Sequence, residues 1–188
     1  MENRYKDKII TIPNILSFFR LLLIPVIMWL YIVKKDPAWT TAILALSGIT
    51  DIVDGIIARK CHMISDFGKA FDPVADKLTQ IAMLFCLVSR FKWMLLPLIL
   101  LIIKEVSAGV IGLLVIRKTG AVYGSVWHGK ATTVSLYSMM LIHLLWYDIP
   151  SVVSCILIGI CTVLILLSAI LYGIKNVEIL LGRKTRGL

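Results

Sequence analysis

The stretch SVVSCILIGICTVLILLSAILYGI, residues 151–174, contains no charged side chain. A helix needs ~20 apolar residues to cross the hydrocarbon core of a bilayer, and this run exceeds that length. LSFFRLLLIPVIMWLYIV (16–33) is of the same kind, interrupted by a single charge at Arg20. Runs this long do not fit strands or the buried helix of a small soluble core. The rest of the chain agrees. It has 188 residues, of which 59% are hydrophobic, and its mean hydropathy is +0.92. Soluble domains of this size are far less apolar, so an all-α integral membrane protein is expected.

Working outward from the two runs, the hydropathy pattern predicts six transmembrane helices, at 15–33, 38–59, 69–89, 93–117, 130–147 and 150–174. ITIPNI (9–14) reads as a short juxtamembrane element ahead of the first helix, with Pro13 favouring a helix start or a bend. Of the 20 Lys and Arg residues, thirteen fall on the segments that face the cytosol when the N-terminus does. Lys34, Lys35, Arg90 and Lys92 fall on the opposite side, and Arg20, Lys77 and Lys104 fall inside helices. That bias predicts a multi-pass protein of the cytoplasmic membrane with both termini in the cytosol. Trp39, Trp93 and Trp146 mark the opposite interface. The charged start, MENRYKDK, offers no cleavable leader pattern, and the basic tail after Ile174 is expected on the inner surface or disordered.

The formal net charge is +9. Its basic residues flank apolar runs, which suits anionic lipid headgroups and speaks against nucleic acid as a partner. Cys61, Cys86, Cys155 and Cys161 lack a paired spacing, so they read as buried small apolar residues and not as disulfides or zinc ligands. No repeat or linker divides the chain, and residues 1–188 are expected to form one membrane domain.

The informative charges are acidic. DIVDGIIARK (51–60) and FDPVADK (71–77) place Asp51, Asp54, Asp72 and Asp76 between apolar runs. Spacings of three and four put each pair on one helical face. The short connection makes the two helices antiparallel neighbours, so all four carboxylates converge near the cytosolic interface. Four such groups repel one another unless protons or cations intervene. Hard oxygen donors suit Mg²⁺ or Mn²⁺, one ion or two. Pairing with Arg59, Lys60, Lys69 and Lys77 is the plainer alternative. Gly55, Ala58 and Gly68 leave room for a ligand to approach the helices, or, for Ala58, simply for helix packing.

The pattern DxxDGxxARx₈GxxxDxxxD, carried by Asp51, Asp54, Gly55, Ala58, Arg59, Gly68, Asp72 and Asp76, resembles the signature of the CDP-alcohol phosphatidyltransferase family at every fixed position. The resemblance implies a reaction. A phosphatidyl group passes from a CDP-linked lipid, CDP-diacylglycerol, to an alcohol hydroxyl, and CMP leaves. It also implies that Asp51, Asp54 and Asp72 hold two Mg²⁺ or Mn²⁺ ions, that Asp76 completes the metal site and acts as general base, and that Asp51, Gly55, Ala58, Arg59 and Gly68 border the cytidine and diphosphate. The six-helix plan, a cytosol-facing active site and a homodimer are further implications.

The acceptor is read from other segments. TIPNILSFFRLLLIPV (11–26) and FDPVADK resemble bacterial phosphatidylglycerophosphate synthases and the related cardiolipin synthases. Synthases that use glycerol 3-phosphate carry an Arg-Glu pair in the fourth helix and a GKxKT-like element opening the fifth. Here these read Lys104-Glu105 and GKATT (129–133), with Thr132 at the second lysine position. Glycerol 3-phosphate is the expected acceptor, with Arg20, Lys104, Arg117, Lys118, His128 and Lys130 as candidates to bind its phosphate. A cardiolipin synthase, with phosphatidylglycerol as acceptor, is the alternative within the family. A divalent-cation transporter is the alternative outside it, and the clustering of the aspartates at one end argues against a pathway through the membrane. His143, inside an apolar helix, reads as structural.

Overall fold

A computed structural model describes residues 11–60, 66–119, 127–146 and 148–180. All its regular structure is helical: α1 (Ile12–Trp29), α2 (Pro37–Lys60), α3 (Asp66–Val88), α4 (Leu95–Thr119), α5 (Trp127–Leu145) and α6 (Ser151–Leu180). Among the described residues, three spans are long and apolar enough to cross a membrane: Ile12–Lys34, Lys92–Val115 and Ser151–Ile179.

Local chemistry sets the ends. Thr11 caps α1, its hydroxyl accepting from the Asn14 N–H at 3.4 Å, and Pro13 occupies the first turn, where its missing N–H costs nothing. The helix therefore begins at Ile12, and residues 11–14 belong to α1 instead of forming a separate surface element. Residues 9 and 10 lie outside the described residues. At its far end α1 loosens into a π-helical turn (Leu30–Lys34) that ends at Lys35 in the left-handed region, φ 52°. Asp36 then caps α2, one carboxylate oxygen accepting from Ala38 N and Trp39 N at 3.1 Å each. Lys34 lies over the Trp29 ring, 5.0 Å from its centroid. α6 runs on to Leu180, so the first residues of the expected surface tail continue the last helix. Residues 181–188 lie outside the described residues, as do the N-terminal charges and Cys61.

The chain forms two compact units, residues 1–90 with 144–147 and residues 91–143 with 148–188. In the first, α1 packs on α2 and on α3. The face of α1 that turns inward changes character along its length. Asn14, Ser17 and Arg20 are buried in its first half, Leu23 and Ile27 in its second, while Ile15, Phe18, Phe19 and Leu22 face outward. Polar inside and apolar outside is the reverse of a water-soluble helix and the arrangement that hydrocarbon surroundings favour.

In the second unit α4 packs on α6. Gly112 faces Tyr172, whose hydroxyl would sit 3.7 Å from a Cβ added there, and a small residue at such a crossing lets two membrane helices approach. Polar ties join α5 to α6. Thr132 donates to the Leu164 carbonyl at 3.3 Å. His143 uses both ring nitrogens, Nδ1 toward the Met139 carbonyl at 2.8 Å and Nε2 toward Ser154 Oγ at 2.9 Å. A carbonyl only accepts, so Nδ1 bears the proton, and in the neutral ring Nε2 accepts from the serine. Phe91 meets the imidazole edge-on, centroids 4.8 Å apart. Cys86 and Cys161 are buried free thiols. Cys155 is exposed, contrary to the expected burial, because it lies on the outward face of α6.

Candidate active site

The signature spans the end of α2 and the start of α3. Asp51, Asp54, Gly55, Ala58 and Arg59 are helical residues of α2, and their side chains, like that of Lys69, lie outside the described residues. Gly68, in the first turn of α3, is buried. Asp72 and Asp76 follow one and two turns later, both half-buried. The connection 61–65 lies outside the described residues.

Asp72 and Asp76 each accept from a neutral donor. Ser17 donates to Asp72 Oδ1 at 2.5 Å, a charge-assisted bond that joins the first turns of α1 to those of α3. The serine oxygen also lies 3.1 Å from the Pro13 carbonyl. Having one proton, it gives it to the nearer and charged acceptor. Asp76 Oδ2 accepts from Gln80 Nε2 at 2.8 Å, and Lys77 Nζ lies 3.9 Å from the same oxygen. Lys77 also donates to Gln80 Oε1 at 3.3 Å. The lysine pair is partly open to solvent, so its Coulomb attraction is screened; the amide bond is the firmer restraint.

Ser17, Asn14 and Gln80 were not singled out from the sequence. A signal was there. Gln80 stands one turn after Asp76, and Asn14, Ser17 and Arg20 interrupt an apolar run at threefold spacing. Arg20, named as a phosphate ligand, is 1% exposed on the same inward face of α1.

The remaining acceptor candidates belong to the second unit. Lys104 makes an ion pair with its neighbour Glu105, Nζ to Oε1 at 2.8 Å. Arg117 and Lys130 are exposed, near the end of α4 and the start of α5. The side chains of Lys118 and His128 lie outside the described residues.

The donor set suits a hard divalent cation, since Asp72 and Asp76 present carboxylate oxygens one turn apart on one helix. Among the described residues no group of three or more His, Cys, Asp or Glu gathers to hold a metal, and two of the four aspartates, Asp51 and Asp54, have side chains outside that description.

Comparison with known proteins bears on the whole arrangement. A CDP-diacylglycerol–glycerol-3-phosphate 3-phosphatidyltransferase of Haemophilus influenzae is 38% identical over 99 residues, 50% of this chain and 54% of that protein. Its namesake from Rickettsia typhi is 36% identical over 96 residues, again 50% of this chain and 54% of the relative. A CMP-forming cardiolipin synthase of Streptomyces coelicolor is 42% identical over 77 residues, 38% of this chain and 36% of that protein. The chain thus spans about half the length, or less, of these curated relatives. The model of the CDP-alcohol phosphatidyltransferase family matches residues 10–173, taking in the signature, α1 to α5 and most of α6. With its spanning helices and its complete signature on α2 and α3, the chain is a membrane protein and belongs to the CDP-alcohol phosphatidyltransferase family.

Proposed function

We propose that this protein transfers a phosphatidyl group from CDP-diacylglycerol to a hydroxyl of glycerol 3-phosphate, releasing CMP and forming phosphatidylglycerophosphate, a step of phospholipid biosynthesis. The observation that carries this reading is the complete eight-residue signature inside a family match covering residues 10–173. Relatives named for this acceptor support it at 36 and 38% identity.

The chemistry assigns work to each residue. Asp76 takes the proton of the acceptor hydroxyl. The freed oxygen bonds to the lipid-side phosphorus, and the bond from that phosphorus to the CMP oxygen breaks, the electron pair leaving with CMP. Asp51, Asp54 and Asp72, with Asp76, would hold two Mg²⁺ or Mn²⁺ ions, which when bound neutralise the diphosphate and stabilise the departing CMP. Gly55, Ala58 and Gly68 give the nucleotide room, and Arg59 faces its phosphates. Arg20, Lys104, Arg117, Lys118, His128 and Lys130 are the candidates for the acceptor's phosphate.

All six helices cross the cytoplasmic membrane in this reading. The aspartates stand at the cytosolic rim, where a soluble nucleotide and two acyl chains meet. The family match runs through both compact units, which supports one catalytic domain, and a homodimer is the proposed assembly.

Cardiolipin synthesis is the second reading, favoured by the 42% identity to the Streptomyces coelicolor enzyme and by Thr132 at the second lysine position of GKxKT. A lipid acceptor such as phosphatidylglycerol brings its own headgroup to the interface and needs fewer cations. One experiment separates the readings. Purified protein in mixed micelles receives CDP-diacylglycerol with glycerol 3-phosphate, phosphatidylglycerol, serine or inositol phosphate. CMP and the lipid product are identified, with Asp76→Asn as control. A product from phosphatidylglycerol alone overturns the glycerol 3-phosphate assignment, and undiminished CMP release by folded Asp76→Asn overturns the base.

A further inference from the structure

Gln80 is fully buried in α3. An amide removed from water without partners costs a few kcal/mol, so its surroundings must answer both of its ends. They do so with two charged groups. Nε2 donates to Asp76 Oδ2 at 2.8 Å, and Oε1 accepts from Lys77 Nζ at 3.3 Å. Chemistry fixes the amide's orientation, because a carboxylate only accepts and an ammonium only donates. The spacing makes the contacts possible, since residues three and four apart on a helix are surface neighbours.

Satisfying a buried polar side chain does not require this. Thr79, the residue before it and 2% exposed, gives its hydroxyl proton to the Ala75 carbonyl at 2.9 Å, the usual local solution. Gln80 instead spends its donor on a carboxylate of the signature. A side chain needed only for packing at this depth would be served by leucine or methionine at no polar cost.

We infer that Gln80 is a positioning residue for the transfer reaction, fixing Oδ2 of Asp76 so that this carboxylate is presented to acceptor and metal in one orientation. An unrestrained aspartate on a helix samples several rotamers, and a base is effective only within hydrogen-bond reach of its proton. Lys77 completes the restraint from the other end of the amide. The inference rests on the proposed role of Asp76.

The test uses the full chain in detergent. Gln80→Met keeps length and apolar fit but removes the donor; Gln80→Asn keeps an amide one methylene too short to reach. Three quantities are measured for each: the melting midpoint, kcat and KM for CDP-diacylglycerol and glycerol 3-phosphate, and Mn²⁺ affinity by electron paramagnetic resonance without substrate. Loss of a residue that orients a catalytic or metal-binding group lowers activity and metal affinity by roughly 10- to 100-fold. Gln80→Met is therefore expected to lose kcat on that scale and to bind Mn²⁺ more weakly. Both KM values should stay within about twofold and the midpoint near that of the parent. Lys77→Met, which frees only the far end of the amide, should lose a smaller factor of kcat. A folded Gln80→Met with parental kcat and Mn²⁺ affinity overturns the inference. So does a loss of fold in both Gln80 variants with none in Lys77→Met, which makes Gln80 a packing residue. If the parent releases no CMP, the proposed function fails by itself, and the Mn²⁺ measurement still decides Gln80: unchanged affinity in the folded variant refutes it.

Discussion

The bond from Ser17 to Asp72 ties α1 to α3 at the site, and its strength can be worked out and measured. Ser17 is fully buried, its hydroxyl 2.5 Å from Asp72 Oδ1 and 3.1 Å from the Pro13 carbonyl. A hydrogen bond to a charged group contributes about 1.5–3 kcal/mol. Two effects reduce this. Asp72 is half-buried, so water takes over part of the lost bond in Ser17→Ala. When Asp72 is removed instead, the serine turns its proton to Pro13. The coupling between the two side chains should therefore come to about 1–2 kcal/mol. Asp72→Ala alone also changes every other interaction of that carboxylate, so single variants mislead, and a double-mutant cycle removes that contribution. Ser17→Ala, Asp72→Ala and the double variant are unfolded by dodecyl sulfate titration in mixed micelles. If the double variant's loss equals the sum of the singles to within about 0.5 kcal/mol, the bond does not hold the helices and the reasoning fails.

Three further outcomes follow from the second unit. His143→Phe keeps the ring against Phe91 but strands the Ser154 hydroxyl, and should cost about 1–3 kcal/mol in unfolding assays while activity per folded molecule is retained. Gly112→Ala should be tolerated, the new methyl resting 3.7 Å from the Tyr172 hydroxyl. Gly112→Leu should lose about 1–3 kcal/mol by forcing α4 from α6, read as a lowered melting midpoint. Glu105→Gln leaves the Lys104 ammonium uncompensated and should destabilise by about 1–3 kcal/mol, more than Glu105→Gln combined with Lys104→Met; equal losses would mean that the pair is not formed.

The helices were legible because hydropathy and length are coarse, redundant signals. Predicted and observed bounds differ by a few residues at most ends, and the differences have local causes. At the start of α1, Thr11 supplies a cap that the reading of ITIPNI as a separate element overlooked. At the end of α6, the basic charge of the tail reads as a surface segment, yet KNVEIL keeps apolar residues at helical spacing and the helix simply continues. The signature aspartates were legible because charge in an apolar run is rare and its spacing is specific. Their supports were harder to see. Ser17 and Gln80 are ordinary polar residues whose meaning depends on which helix lies opposite, and that is set by packing across 55 residues of sequence in the case of Ser17 and Asp72.

The two supports suggest how α3 reconciles opposing demands. The proposed metal and diphosphate site needs carboxylates that hold still. An unrestrained aspartate on a helix samples several rotamers, and carboxylates side by side repel one another. A cation on the same oxygen would compete with the proposed divalent ions. Neutral donors bring no charge to repel the ion. Ser17 and Gln80 each take one oxygen of an aspartate, Oδ1 of Asp72 and Oδ2 of Asp76, and add no charge. Lys77 stands back at 3.9 Å and partly in solvent. Replacing either donor by a cation should then weaken Mn²⁺ binding more than replacing it by an apolar residue. Gln80→Lys against Gln80→Met in the resonance titration tests that order, and the reverse order would show that charge, not orientation, is what the site lacks.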